Sequence, residues 1–236
     1  MTVLLALDSS TETMALALKS PAGTLCFEAA GGPQASARMV PEALALLARA
    51  GLSLADVDAI AFGRGPGAFT GLRTACAVVQ GLAFGAAKPV LAIDSLMLVA
   101  EDARQQAEAA GAVLSGTIWV AMDARMGEIY AGAYRFEAAG WLTVDAPALY
   151  SPAALVAHWQ DPAAVAGTAL IAFEGQLGQP IRQWPLTAWR AQALAALAAQ
   201  AFARGELLDA AEAMPVYVRD KVAQTTAERL AARASA

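Results

Sequence analysis

Apolar positions follow two rhythms along this chain, one continuous or alternating and one helical. Residues 3–7 form a nearly unbroken apolar run that ends on Asp8, as a strand buried on both faces would. The polar turn at 9–13 leads into residues 14–20, the return arm of a hairpin. Residues 23–30 predict a third strand after a turn at 21–23. Helical spacing then takes over at 36–50, closed by Gly51, and residues 53–56 carry a capping-box pattern for a short helical turn. A strand over 57–65, a helix over 70–86, a strand over 88–94 and a helix from Ser95 to about Ala110 complete the first half.

The opening pattern then returns. Residues 117–134 contain an apolar strand ending on Asp123, a short turn and a strand bearing Ile129, Tyr130 and Tyr134. A shift of 115 places Leu5 on Val120, Leu7 on Met122, Asp8 on Asp123 and Met14 on Ile129. In both copies an acid closes a buried strand just before a hairpin turn. Beyond this echo, Ser151–Pro152 opens a helix, residues 188–204 form another stopped by Gly205, and a C-terminal helix follows residues 215–221. Strands and helices alternating in two similar halves predict a two-lobed α/β protein, with lobes 1–110 and 111–236 meeting near Gly111. The last helix is free to pack back on the first lobe.

Composition narrows the function classes. With 58% hydrophobic and 16% charged residues over 236 positions, disorder is excluded as a description of the chain. The formal net charge of −5 and the lack of a basic run argue against a stand-alone nucleic-acid binder. No apolar run reaches the roughly eighteen residues of a membrane span, and the first ten residues lack a basic stretch, so a cytoplasmic, soluble protein is expected. Cys26 and Cys76 form no metal-type pair and read as reduced thiols. His158 is the single histidine, which leaves no paired-histidine metal motif. It falls late in a helix, where a cationic ring complements the dipole.

The stretch 63–75 packs four glycines and a proline into its first nine residues, then runs into an apolar helix. Gly63, Arg64, Gly65, Pro66, Gly67, Thr70 and Arg73 admit two readings: an anion cradle at a helix start, or a loop thinned for close packing. The P-loop string is absent. The G-x-G-x-x-G/A match is interrupted by Pro66–Gly67, and Ala83 and Phe84 stand where a ribose-binding acid belongs.

The helices at 36–50 and 70–86 are apolar nearly all round. Met39, Ala43, Leu46 and Leu47 share one face of the first, and Leu72, Cys76, Val79 and Ala83 one face of the second. Gly71, Ala75 and Gly81 would let a second helix approach closely. These positions are either ordinary core or a protein interface. Asp8 and Asp123 are the best paired carboxylates. They either hold a magnesium–nucleotide complex between the lobes, with Ser9 beside the first acid, or cap their own turns.

Residues 4–18, 61–85, 120–134 and 215–223 together resemble the TsaB (YeaZ) family, and the two strand–Asp–hairpin units resemble those of the actin-like ATPase superfamily. The resemblance implies a two-lobed, actin-like (ribonuclease H-like) fold. It also implies a non-catalytic role in forming threonylcarbamoyladenosine at adenosine 37 of tRNA, with no cofactor of the chain's own. Implied partners are the transferase TsaD, docked through the first two helices, and the ATPase TsaE. The chain would meet tRNA only indirectly and pair with itself when TsaD is absent. The interface expected on this reading is Met39, Ala43, Leu46, Leu47, Leu72, Ala75, Cys76, Val79 and Ala83. The alternative is a small ATPase or kinase using Asp8, Ser9 and Asp123 with magnesium.

Overall fold

The computed structural model of the chain describes residues 2–32 and 35–219. The C-terminal helix expected after 215–221 lies outside the described residues. The first sheet contains β1 (Leu4–Asp8), β2 (Thr13–Ser20), β3 (Gly23–Ala30), β4 (Ala59–Gly65) and β5 (Val90–Asp94), in the order β3-β2-β1-β4-β5. β1 is antiparallel to β2 and parallel to β4. The second sheet contains β6 (Thr117–Asp123), β7 (Ile129–Glu137), β8 (Gly140–Tyr150), β9 (Ala164–Ala166) and β10 (Arg182–Trp184). Its order, read from the third strand, is β8-β7-β6-β9-β10, with the same sequence of antiparallel and parallel pairings. The two halves therefore share one topology.

Register refines the echo seen in the sequence. Asp8 pairs with Ala15, whereas Asp123 pairs with Ile129, so Ile129 corresponds to Ala15 and not to Met14. The first hairpin turn is one residue longer, and a gapless shift crosses that insertion. β8, β9, β10 and the short α5 (Ala169–Ala172) were not legible beforehand. β9 and β10 span three residues each, too few to show alternation.

Helices α1 (Ala35–Arg49) and α2 (Phe69–Ala86) cover one face of the first sheet. Helices α3 (Ser95–Ala109) and α6 (Arg190–Ala203) lie between the two sheets, and α4 (Pro152–Trp159) and α5 cover the far face of the second. Side-chain size is divided between the faces of the first sheet. Toward α1 and α2 it presents Leu5, Leu7, Met14, Leu16, Leu18, Ile60 and Phe62. Toward α3 and α6 it presents mainly alanine, at Ala6, Ala15, Ala17, Ala59 and Ala61, together with Leu4, Leu91 and Ile93. Alanine on a strand and alanine along α6 let the two backbones approach closely, which is how a helix fits between two sheets. Although α6 follows the second sheet in sequence, it packs on β1, β2 and β3 of the first.

All nine expected interface side chains belong to the interior. Met39, Ala43, Leu46 and Leu47 of α1 and Ala75, Cys76, Val79 and Ala83 of α2 join the core cluster under the sheet's large side chains. Leu72 is likewise buried, beside Gly65. These residues form the widest apolar stripe of each helix, and that stripe belongs first to the sheet. Both cysteines are free thiols. No helix among the described residues is long and apolar enough to cross a membrane.

Candidate functional site

Asp8 ends β1 with no solvent exposure, and its partner is Arg190, the first residue of α6. Arg190 Nε donates to Asp8 Oδ2 at 2.8 Å, and Nη2 donates to Ser10 Oγ at 2.7 Å. Ser10 donates to the same carboxylate oxygen through its hydroxyl at 3.2 Å and its backbone N–H at 3.3 Å. Arg190 is aimed by α3: the Asp102 carboxylate accepts the backbone N–H groups of Ala188 at 3.1 Å and Trp189 at 2.6 Å, fixing the start of α6. A metal ion at Asp8 would compete with a guanidinium already seated there, so the residues present do not fit a magnesium–nucleotide site. Ser9 is turned away, its hydroxyl donating to the Gly71 carbonyl at 2.8 Å.

Asp123 does reach the cleft between the lobes, where it closes its own turn. It accepts the Arg125 N–H at 2.8 Å. The Arg125 side chain approaches Asp123 at 3.4 Å and reaches across to Glu12 at 2.8 Å. Of Asp8, Ser9 and Asp123, only the last lines the cleft. Sequence reasoning missed Arg190 and Asp102. The available signal was a cation opening an alanine helix that is otherwise nearly all apolar.

The glycine loop proves to be a packing seam. A Cβ at Gly63 would stand 1.8 Å from Asp8 Oδ1, one at Gly67 2.3 Å from the Ser10 carbonyl oxygen, and one at Gly71 1.7 Å from the Ser9 carbonyl oxygen. The missing side chains let the loop and the start of α2 lie directly on the β1–β2 turn. Backbone donors of the loop are engaged within the fold: Ala68 N–H bonds Ser10 O at 2.7 Å, and Gly65 N–H bonds Ser95 Oγ at 3.0 Å. The Gly65–Pro66 peptide is cis. Arg73 stacks on the Phe69 ring at 3.7 Å and donates to the Tyr217 hydroxyl at 3.0 Å. Arg64 and Thr70 are exposed.

Residues on the outer sides of α1 and α2 present a different surface. Ala37, Pro41, Leu44, Ala45 and Ala48 face outward from α1, and Ala77, Gly81, Phe84 and Gly85 from α2. Phe84 is 83% exposed and Leu44 46%. Added Cβ atoms at Gly81 and Gly85 would meet nothing within 4 Å. The fold therefore has no spatial need for glycine there, although each costs helix stability.

At the C-terminal ends of the central strands, the lobes enclose a cleft of about 800 Å³. A strap from Val216 to Arg219 crosses its mouth. Val216 N–H bonds Arg64 O at 2.7 Å, and Arg219 donates to the carbonyls of Ala124 at 3.0 Å and Arg125 at 3.2 Å. Within the second lobe, His158 sits in the last turn of α4, bound to Asp145 at 2.8 Å and stacked on Tyr150. Its place there is structural.

Comparison with known proteins bears on these geometries. The family model described as "TsaD: tRNA N6-adenosine threonylcarbamoyltransferase" matches residues 32–231. The tRNA threonylcarbamoyladenosine biosynthesis protein TsaB of Escherichia coli (strain K12) is 30% identical over 93% of this chain and 96% of its own length. Its namesake in Haemophilus influenzae is 42% identical over 54% of this chain and 51% of its own. The solved structure of YeaZ from Pseudomonas aeruginosa superposes with a TM-score of 0.80 at 37% identity, covering 92% of this chain and all of that one. The YeaZ structure shares the architecture of two five-stranded mixed sheets described above.

Proposed function

The chain belongs to the TsaB (YeaZ) family of tRNA threonylcarbamoyladenosine biosynthesis proteins, and we propose that it acts there as a non-catalytic subunit that docks on the transferase TsaD. The docking surface is the outer face of α1 and α2, and the assembly is completed by the ATPase TsaE. One observation carries this reading: Phe84 projects into solvent between glycines that the fold itself does not need. Side chains this small permit a second helix pair to approach to backbone contact, with Phe84 and Leu44 as anchors. Burying each anchor is worth about 1.5–3 kcal/mol in transferred apolar surface. Two copies of the chain would use the same face when the transferase is absent.

The non-catalytic assignment is supported by the fate of its best carboxylates. Asp8 is held by Arg190, and Asp123 is tied to its own turn. The contribution to the reaction is then conformational: docking favours one arrangement of the partner. The test is reconstitution of threonylcarbamoyl transfer to tRNA from TsaD and TsaE with and without this chain. The transfer rate is expected to depend on adding it; an equal rate in its absence contradicts the proposal.

A further inference from the structure

α2 runs for 18 residues with a single charged side chain, Arg73. On the neighbouring α1, Arg38 is matched by Glu42 at 3.1 Å. Arg73 has no such match. It is exposed, and among the described residues no carboxylate pairs with it.

The side chain is nevertheless held in one place. Its guanidinium lies 3.7 Å over the Phe69 ring, and Nε donates to the Tyr217 hydroxyl at 3.0 Å. The two rings brace each other, with centroids 5.1 Å apart. Nη1 and Nη2 have no acceptor among the described residues and can donate side by side. That fork matches the two oxygens of a carboxylate. Because the rotamer is set beforehand, little ordering entropy is lost when a partner uses it.

Helical geometry places this fork on the outer face of α2. Arg73 and Phe84 lie about 20° apart around the helix and about 16 Å apart along it. Ala77 and Gly81 stand between them, both exposed. A hollow lined by Ser36, Thr70, Thr74 and Ala77 opens beside the guanidinium, with room for a short polar side chain.

We propose that Arg73 is the charged anchor of the docking face and receives a carboxylate side chain of the protein partner. The inference rests on the docking reading above and adds a register to it. Two unlike anchors at fixed spacing admit a partner helix in one position, since a slide of one turn, about 5.4 Å, strands the carboxylate away from its cation. A phosphate is the poorer fit, because one cation on a chain of net charge −5 does little to neutralise it.

The test is a titration of purified TsaD with the full chain in low-salt buffer free of nucleotide and phosphate. Arg73→Met keeps an apolar stem over Phe69 and should weaken binding at least about tenfold. Arg73→Glu should weaken it further, by repulsion. Arg73→Lys, which keeps the charge but not the fork, should fall between the parent and Arg73→Met. Added sodium chloride should weaken the parent complex and leave that of Arg73→Met nearly unchanged. Phe84→Asp in the same titration separates the two readings. Weakened binding by Phe84→Asp with undiminished affinity in Arg73→Met overturns this inference alone, and undiminished affinity in both overturns the docking reading as well. Equal salt sensitivity of parent and Arg73→Met would also overturn the inference. So would an effect of Arg73→Met that appears only on adding inorganic phosphate or ATP, which would place a phosphate at the fork.

Discussion

Arg190 Nε stands 2.8 Å from Asp8 Oδ2, joining the first residue of α6 to the last of β1 across 182 positions of sequence with both side chains out of solvent. This contact pins the helix between the sheets to the centre of the first sheet. It also consumes the carboxylate that a cation-dependent enzyme would need.

Removing one member of a buried pair leaves the other uncompensated, at a cost of about 3–5 kcal/mol. Arg190→Ala and Asp8→Asn are each expected to lower stability on that scale. The double variant should lose clearly less than the sum, because neither orphan remains. Urea denaturation of all four members of the cycle checks this. Strict additivity would show that the pair is not coupled. Any loss of tRNA modification in Asp8→Asn is then expected to track folding rather than chemistry.

A glycine of β4 and a glycine of α2 should respond to the same substitution with opposite signs. At Gly63 an added methyl meets Asp8 Oδ1 at 1.8 Å, so Gly63→Ala is expected to destabilise by about 1–3 kcal/mol or more, as overpacking does. At Gly81 the methyl meets nothing, so Gly81→Ala should raise stability by about 0.5–1 kcal/mol through helix propensity. The same change should weaken docking on TsaD by filling the groove that a partner helix enters. Thermal midpoints and a binding titration on each variant test both halves.

Asp94 gives a pH signature. Its carboxylate caps α3 by accepting from Leu96 N–H at 2.8 Å and Met97 N–H at 3.2 Å, and it accepts the Tyr134 hydroxyl at 2.9 Å. Burial nevertheless raises its pKa above the ordinary carboxylate value, outweighing those bonds. Between the unfolded and the raised folded value the native state holds more protons, so this group's contribution to stability falls as pH rises through that window. Stability of the parent relative to Asp94→Asn should therefore improve on acidification from neutral pH into the carboxylate range. At neutral pH, Asp94→Ala should lose about 1 kcal/mol through the missing cap. A parent–Asn difference that is flat with pH would contradict the burial argument.

How much of this was legible beforehand depended on what local pattern can encode. The strand–Asp–hairpin echo was visible because a buried strand and its turn lie within about twenty residues, and strand order then repeated it. Breadth of apolar surface on α1 and α2 was visible too, but not its division. Periodicity located the stripe with Leu47 and Val79, which the sheet covers, while Leu44 and Phe84 face outward. In both helices the wider stripe faces the sheet, and sequence spacing carries no sign of which neighbour covers it. Nor could spacing distinguish a phosphate loop from a seam. Gly63, Gly67 and Gly71 are glycines because Asp8, Ser9 and Ser10 lie against them, more than fifty residues away in the chain. The Arg190–Asp8 pair was illegible for the same reason.

The most direct test of the central claim compares the two sides of one helix. Phe84→Asp, on the outer side of α2, should leave the thermal midpoint of the isolated chain unchanged. It should weaken binding to TsaD by about 2 kcal/mol or more, roughly thirtyfold, as loss of a buried aromatic anchor does. Val79→Asp, on the inner side, should instead unfold the chain. Undiminished affinity of a well-folded Phe84→Asp variant for TsaD would contradict the account.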